Sequence, residues 1–396
     1  MNSQKKIQLE PNRILMLNKI IKVVIAVSLF FSIIFFIGLD KHHFYYSYLF
    51  SFSVFTTISL GAMFFVILQF LTRAGWSVVV RRVPEYLMSN IGIMFILFIP
   101  ILFGIHDLYH WSHLDEVASD YILKGKSPYL NTSFFIVRGI IFFCVWIIIS
   151  KLFFGKSELQ DYDSDHGHTA LLQRCSPVAM ILYGLTLTFA FIDWIMSLTP
   201  HWYSTIFGVY IFSGGLVGFL ALNSIIYIIL YKKGILSHII TIEHFHDLGK
   251  LLYGFNIFWT YIAFCQYFLI WYANIPEETV WFLDHFAGNW NTVAIVLSVG
   301  HFGIPFVLFM SRHAKRHLGF HFGMAIWLLL MHILDLYWII MPTVSPKGIH
   351  ISFTDISTFL FIGGVYCYFF LRQLSKGYLI PINDPRLKES ETFENQ

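Results

Sequence analysis

PVAMILYGLTLTFAFIDWIMSL, residues 177–198, holds 22 residues and one charged side chain, Asp193. A helix of about 20 mostly apolar residues crosses the hydrocarbon core of a bilayer. The run is continuously apolar, not alternating as a membrane barrel strand would be. Working outward, nine further stretches read the same way: 19–38, 47–71, 88–105, 133–154, 204–230, 251–272, 290–309, 320–340 and 355–371. In lipid only helices and closed barrels satisfy their own backbone. The expected fold is therefore an all-α integral membrane protein of about ten transmembrane helices. Composition agrees, with 57% hydrophobic residues, 43 phenylalanines and a mean hydropathy of +0.67. Charged residues make up 12% of the chain, half the roughly 25% of soluble domains.

Lysine and arginine set the predicted orientation. With a cytoplasmic N-terminus, 21 of the 26 basic residues fall inside, among them Lys5, Lys6, Arg13, the Arg73/Arg81/Arg82 loop, Lys232, Lys233 and the Arg312/Lys315/Arg316 loop. Four fall outside (Lys41, Lys124, Lys126 and Lys347), and Arg138 lies within the fourth span. Both termini are thus expected in the cytoplasm. No short apolar region with an A-x-A-like site precedes the first span, so the sequence predicts no cleaved signal peptide. Residues 1–18 read as an N-terminal segment, 19–372 as one membrane domain and 373–396 as a cytoplasmic tail. Two outside loops, 106–132 and 273–289, are acidic and aromatic and are candidate docking surfaces for another protein. The inside loop 155–176 carries Asp161, Asp163, Asp165, His166 and His168, which reads as a flexible polar loop before it reads as a metal site.

Several chemistries are excluded. The cysteines, Cys144, Cys175, Cys265 and Cys367, form no CxxC, haem-attachment or iron–sulfur run. No phosphate or dinucleotide loop is present. The histidines His301, His321 and His332 show no repeated paired spacing, which argues against bound haem. Basic residues do not interleave with exposed aromatics, which argues against nucleic acid. No metal site is assigned.

Of 23 acidic residues, two lie well inside apolar runs: Asp193 in FAFIDWIMSLTPHW (189–202) and Asp335 in MHILDLYWIIMP (331–342). A charge at the bilayer centre costs at least ~2.5 kcal/mol on insertion scales, so such groups are functional candidates. Each precedes a proline by seven residues, Pro200 and Pro342, or about 10 Å of helix. Both are therefore expected at matched depth under the outer face, with Trp194, Trp202 and Trp338 as interfacial anchors. The fifth and ninth spans run in the same direction, which suggests two four-helix units, 47–198 and 204–340, with the first and last helices peripheral. His332 shares a helix face with Asp335 as its expected partner, and Ser197 shares the face of Asp193. With His301 in the eighth span and His106 and Asp107 at the outer end of the third, these residues outline a candidate proton relay.

Three longer segments carry a resemblance. IDWIMSLTPHWYSTIFGVY (192–210), EHFHDLGKLLYGFNIFWTYIAFCQYFLIWYANIPEET (243–279) and HFGIPFVLFMSRHAKR (301–316) resemble the ActF membrane subunits of bacterial alternative complex III, within the NrfD/polysulfide-reductase-like superfamily. The resemblance implies two four-helix bundles and a place in a quinol:cytochrome c oxidoreductase of the bacterial inner membrane. It implies an iron–sulfur subunit, multihaem c-type cytochrome subunits and a homologous membrane subunit as partners. It implies menaquinone or ubiquinone at or near the chain, which has no redox carrier motif of its own. Asp193, Trp194, His201 and Trp202 are the candidate quinone site. The sister membrane subunit, beside the iron–sulfur protein, is the stronger candidate for quinol oxidation itself. Two other readings remain: a purely structural anchor of the complex, and an independent secondary transporter.

Overall fold

The computed structural model describes residues 11–38 and 41–394. Lys5, Lys6 and the first ten residues of the predicted N-terminal segment lie outside them. Among the described residues all regular structure is helical, and nine helices are long and apolar enough to cross a bilayer. These are α1 (Pro11–Gly38), α2 (Lys41–Leu71), α3 (Val78–Phe103), α4 (Thr132–Asp163), α5 (Gly167–Leu198) and α6 (Phe207–Lys232), followed by α8 (Trp290–Leu308), α9 (Leu318–Ile340) and α10 (Phe353–Lys376). Between α6 and α8 runs α7 (Ile242–Ala273), 32 residues long but more polar, with Glu243, Asp247 and Lys250 in its first turns. The chain is a multi-pass, all-α membrane protein of about ten helices.

Helices α2–α5 pack on one another as a first bundle and α6–α9 as a second, while α1 lies along α10 and α10 along α2. The bundles meet where α2 crosses α6. There a Cβ on Gly61 would stand 2.8 Å from the Gly215 carbonyl oxygen, so these positions admit only glycine at this backbone separation. Small residues permit this closeness where lipid gives helices no hydrophobic reason to associate.

Three expectations change. The third span begins at Val78, not near 88, so Arg81 and Arg82 are not loop residues. Both are buried with Glu85 at the foot of α3. The stretch 155–176 is helical apart from a turn at 164–166, because α4 and α5 outrun the hydrocarbon. Asp161 there is an ion-pair partner of Arg82, and Asp163 meets His168 at 2.8 Å. Finally, Trp194, Trp202 and Trp338 are 0%, 4% and 7% exposed, which makes them core residues and not interfacial anchors. Trp194 alone packs on Phe52, Phe98, Phe143, Trp146 and Phe191.

Candidate functional site

Asp335 sits in the last turns of α9, 2% exposed, between α6 and α7. The Tyr210 hydroxyl donates to its Oδ1 at 2.5 Å and the Trp259 indole N–H to its Oδ2 at 3.1 Å. Neither donor carries a charge. His332, one turn earlier on α9, is equally buried, and its Nε2 lies 3.1 Å from the Thr57 hydroxyl of α2. The expected His332–Asp335 pair is thus replaced by two separate partnerships from neighbouring helices, although both side chains do share one face. That face is accommodated by α6. A Cβ on Gly218 would stand 2.3 Å from His332 Cδ2, and one on Gly214 would lie 3.4 Å from Asp335 Oδ2 and 3.5 Å from His332 Nδ1. The two glycines give the imidazole and the carboxyl their room.

His301 completes the group. Its ring stacks on Trp259 with centroids 3.6 Å apart, and neither ring nitrogen has a hydrogen-bond partner among the described residues. Local chemistry explains how α8 presents it. Residues Ser298–Gly303 form a π-helical turn, a feature that recurs at functional sites. Pro305 lacks the N–H that would bond the carbonyl four residues back, the His301 carbonyl. The Asn256 amide of α7 takes that place at 2.8 Å, and the Trp327 indole N–H donates to the Gly300 carbonyl at 2.7 Å. Tyr210, Trp259, His301, His332 and Asp335 therefore form one buried polar cluster in the second bundle. A carboxyl held by two neutral donors, with imidazoles nearby, can accept and return a proton without breaking an ion pair.

The first bundle is built differently. Asp193 accepts from Arg138 Nε at 2.6 Å and Nη2 at 3.2 Å. Arg138 Nη1 donates to the Tyr129 carbonyl at 2.8 Å, and the guanidinium lies between the Tyr129 and Phe134 rings, 3.9 and 4.2 Å from their centroids. This forked contact supplies a full counter-charge. Ser197 does not reach the carboxylate; its hydroxyl donates to the Asp193 main-chain carbonyl. Asp193 and Asp335 occupy corresponding helices but not equivalent environments.

The remaining candidates are dispersed. His106 and Asp107 lie past the end of α3, as expected, with the His106 ring exposed and its Nδ1 3.1 Å from the Ser112 hydroxyl. His201 is exposed and pairs with Asp120 at 2.5 Å. That hydrogen bond holds the Asp120 carboxyl below its usual range. Trp202 stacks on Trp281 at 4.8 Å and donates to the Glu278 carbonyl. Beside it opens an apolar groove of about 410 Å³, lined by Tyr129, Ile192, Met196, Trp202 and Tyr203, with Lys126 at its rim. Lys126 Nζ donates to the Pro200 carbonyl at 2.5 Å, and burial pulls its ammonium below the usual lysine range. Trp194 does not reach this groove.

Sequence reasoning missed Tyr210, Trp259 and Thr57, which carry no pattern of their own. It noted Arg138 and Asp193 without joining them, although one base and one acid in consecutive spans were a signal that could have done so. No protein-family profile and no curated protein sequence matches the chain.

Proposed function

We propose that this chain is a membrane subunit of a respiratory quinol:cytochrome c oxidoreductase of the alternative complex III type, acting in proton transfer beside quinol oxidation and in assembly of the complex. The observation that carries this reading is the buried Asp335 carboxyl, whose hydrogen-bond partners are both neutral and whose bundle also buries His332 and His301. Such a carboxyl is expensive in lipid and marks a proton or substrate route by default. The three resembling segments supply the respiratory context. In this reading the face bearing Arg73, Arg312 and the C-terminal tail is cytoplasmic, by the excess of basic residues, and the membrane is the bacterial inner membrane. Iron–sulfur and multihaem c-type subunits carry the electrons, and the homologous membrane subunit lies alongside. The groove beside Trp202 is wide and apolar enough for a menaquinone or ubiquinone ring, with Lys126 at its mouth to meet a ring oxygen.

The test is D335N in the assembled complex. Quinol:cytochrome c reductase activity and proton release into vesicles should fall by about tenfold or more, as for loss of a proton-transferring group. Wild-type values with all subunits retained would overturn the relay. A structural anchor is the second reading, favoured by the Arg138–Asp193 ion pair, which ties α4 to α5. It expects D335N to keep activity while changes in 106–132 or 273–289 break assembly.

A further inference from the structure

His332 reaches α2 at Thr57. Ten residues along α2 from there, about 15 Å of helix, the Ser47 hydroxyl donates to another buried carboxyl, Asp355. Asp355 is 5% exposed and stands in the first turn of α10. Its Oδ2 accepts from the Ser352 main-chain N–H at 2.9 Å and closes a capping box. A cap accounts for Oδ2 alone. Oδ1 meets His43 Nε2 at 3.1 Å as well as Ser47, both from α2. The Tyr337 hydroxyl of α9, two residues beyond Asp335, is 3.5 Å from Oδ2. Between Ser47 and Thr57, α2 also buries the hydroxyls of Ser51, Ser53 and Thr56, and Ser51 meets Thr358 of α10 at 3.2 Å. The His43 side chain is 14% exposed, so the carboxyl has an imidazole between itself and water. Among the described residues His106 and Asp107 have no such link to a buried carboxyl.

We propose that Asp355 and His43 form the site at which a proton leaves the interior of this chain for the outer aqueous face. This rests on the reading of Asp335 as a proton carrier. The step balances without a co-reactant. A proton arriving from the interior protonates the Asp355 carboxylate, the carboxyl passes it to the His43 imidazole, the imidazolium gives it to water, and both groups return to their starting state. The titratable groups facing Asp355 are His43 from α2 and Tyr337 from α9, with the His350 ring 6.1 Å from that of His43. Among the described residues no lysine or arginine bonds to it.

The experiment uses the assembled complex in vesicles, with H43Q, D355N and D355E compared against D335N. Outward proton release should slow about a hundredfold or more in H43Q and D355N, recover in D355E, and lose in H43Q the limb of the pH profile that reports the imidazole. H43Q removes the imidazole's contacts with Asp355 and the Ser352 hydroxyl but leaves the bonds between Ser352 and Asp355 that close the cap, so a folding defect in D355N does not remove the test. Wild-type release and an unchanged pH profile in H43Q overturn the exit site. If D335N is impaired while H43Q and D355N are normal, only the exit falls. If D335N is also normal, the proton-carrier reading falls with it.

Discussion

At the scale of single residues, two buried carboxyls that look alike in sequence have opposite surroundings. Asp193 faces a guanidinium and Asp335 faces two neutral donors. Breaking a buried pair by removing one partner leaves an uncompensated charge and costs about 3–5 kcal/mol. R138M should therefore lower the melting temperature of the purified protein in detergent by several degrees. The double variant R138Q/D193N should recover much of that loss, because it removes both charges and keeps a hydrogen bond. Equal loss in single and double variants would show that the pair does not carry the stability of this site. Asp335→Asn should change stability less, since neither of its partners is left as a stranded ion.

At the scale of elements, the connections between helices are structured wherever a side chain can tie them down. The loop 273–289 contains a helix, Pro276–His285, with proline at its start. His285 at its end is 1% exposed, stacks on Trp281 at 3.6 Å, and sets its two ring nitrogens against the carbonyls of Trp281 and Ile339 at 2.6 and 3.1 Å. Burial pushes this imidazole down to about 4, although the two carbonyls pull the other way. The unfolded imidazole titrates near ~6.5. Between those values the unfolded chain holds more protons than the folded one, so stability is complete above about 6.5 and is lost as pH falls toward 4. The expected slope is at most about 1.4 kcal/mol per pH unit across that window. Thermal scans of wild type and H285Q from pH 7.5 to 4.5 check it; identical slopes would remove His285 as the cause. The π-helical turn of α8 is an element of the same kind, in which Pro305 frees a carbonyl and Asn256 of another helix takes it.

At the scale of the whole molecule, the C-terminal tail is part of the fold. Arg81 bonds Glu85 at 3.0 Å and Asp384 at 2.7 Å, and Arg82 bonds Glu85 at 2.8 Å and also Asp161. Asp161 in turn accepts from the Ile382 main-chain N–H and, through its carbonyl, from the Asn383 amide. Ser390 bonds both Val79 and Trp76. The tail thus closes one end of the first bundle with α3 and α4. Truncation after Lys376 strips Arg81 of one of its two carboxylates and removes the bonds to Asp161, Val79 and Trp76, and should lower the melting temperature and speed proteolysis near residues 73–90. D384N, which keeps an acceptor, should lose less. A truncated chain as stable as the full one would show that the tail only rests on the bundle.

The sequence by itself determined the solvent, the helix content, the number of spans and the two carboxyls most costly to bury, because lipid requires apolar runs of a fixed length and penalises every exception. It also implied two bundles, since the repeat spacing of Asp193 and Asp335 is a one-dimensional signal. Only the tertiary structure decided what each buried group does. Periodicity places a residue on a face but does not say which helix that face meets. The partner of Asp193 comes from 55 residues away, and those of Asp335 from 125 and 76 residues away. Arg138 neutralises one carboxyl, while Tyr210 and Trp259 leave the other without a counter-charge. His332 goes to Thr57 because Gly218 makes room for it there. Arg81 and Arg82 read as loop residues and Asp355 escaped notice because they sit at helix ends, where the hydropathy signal fades although the packing stays dense.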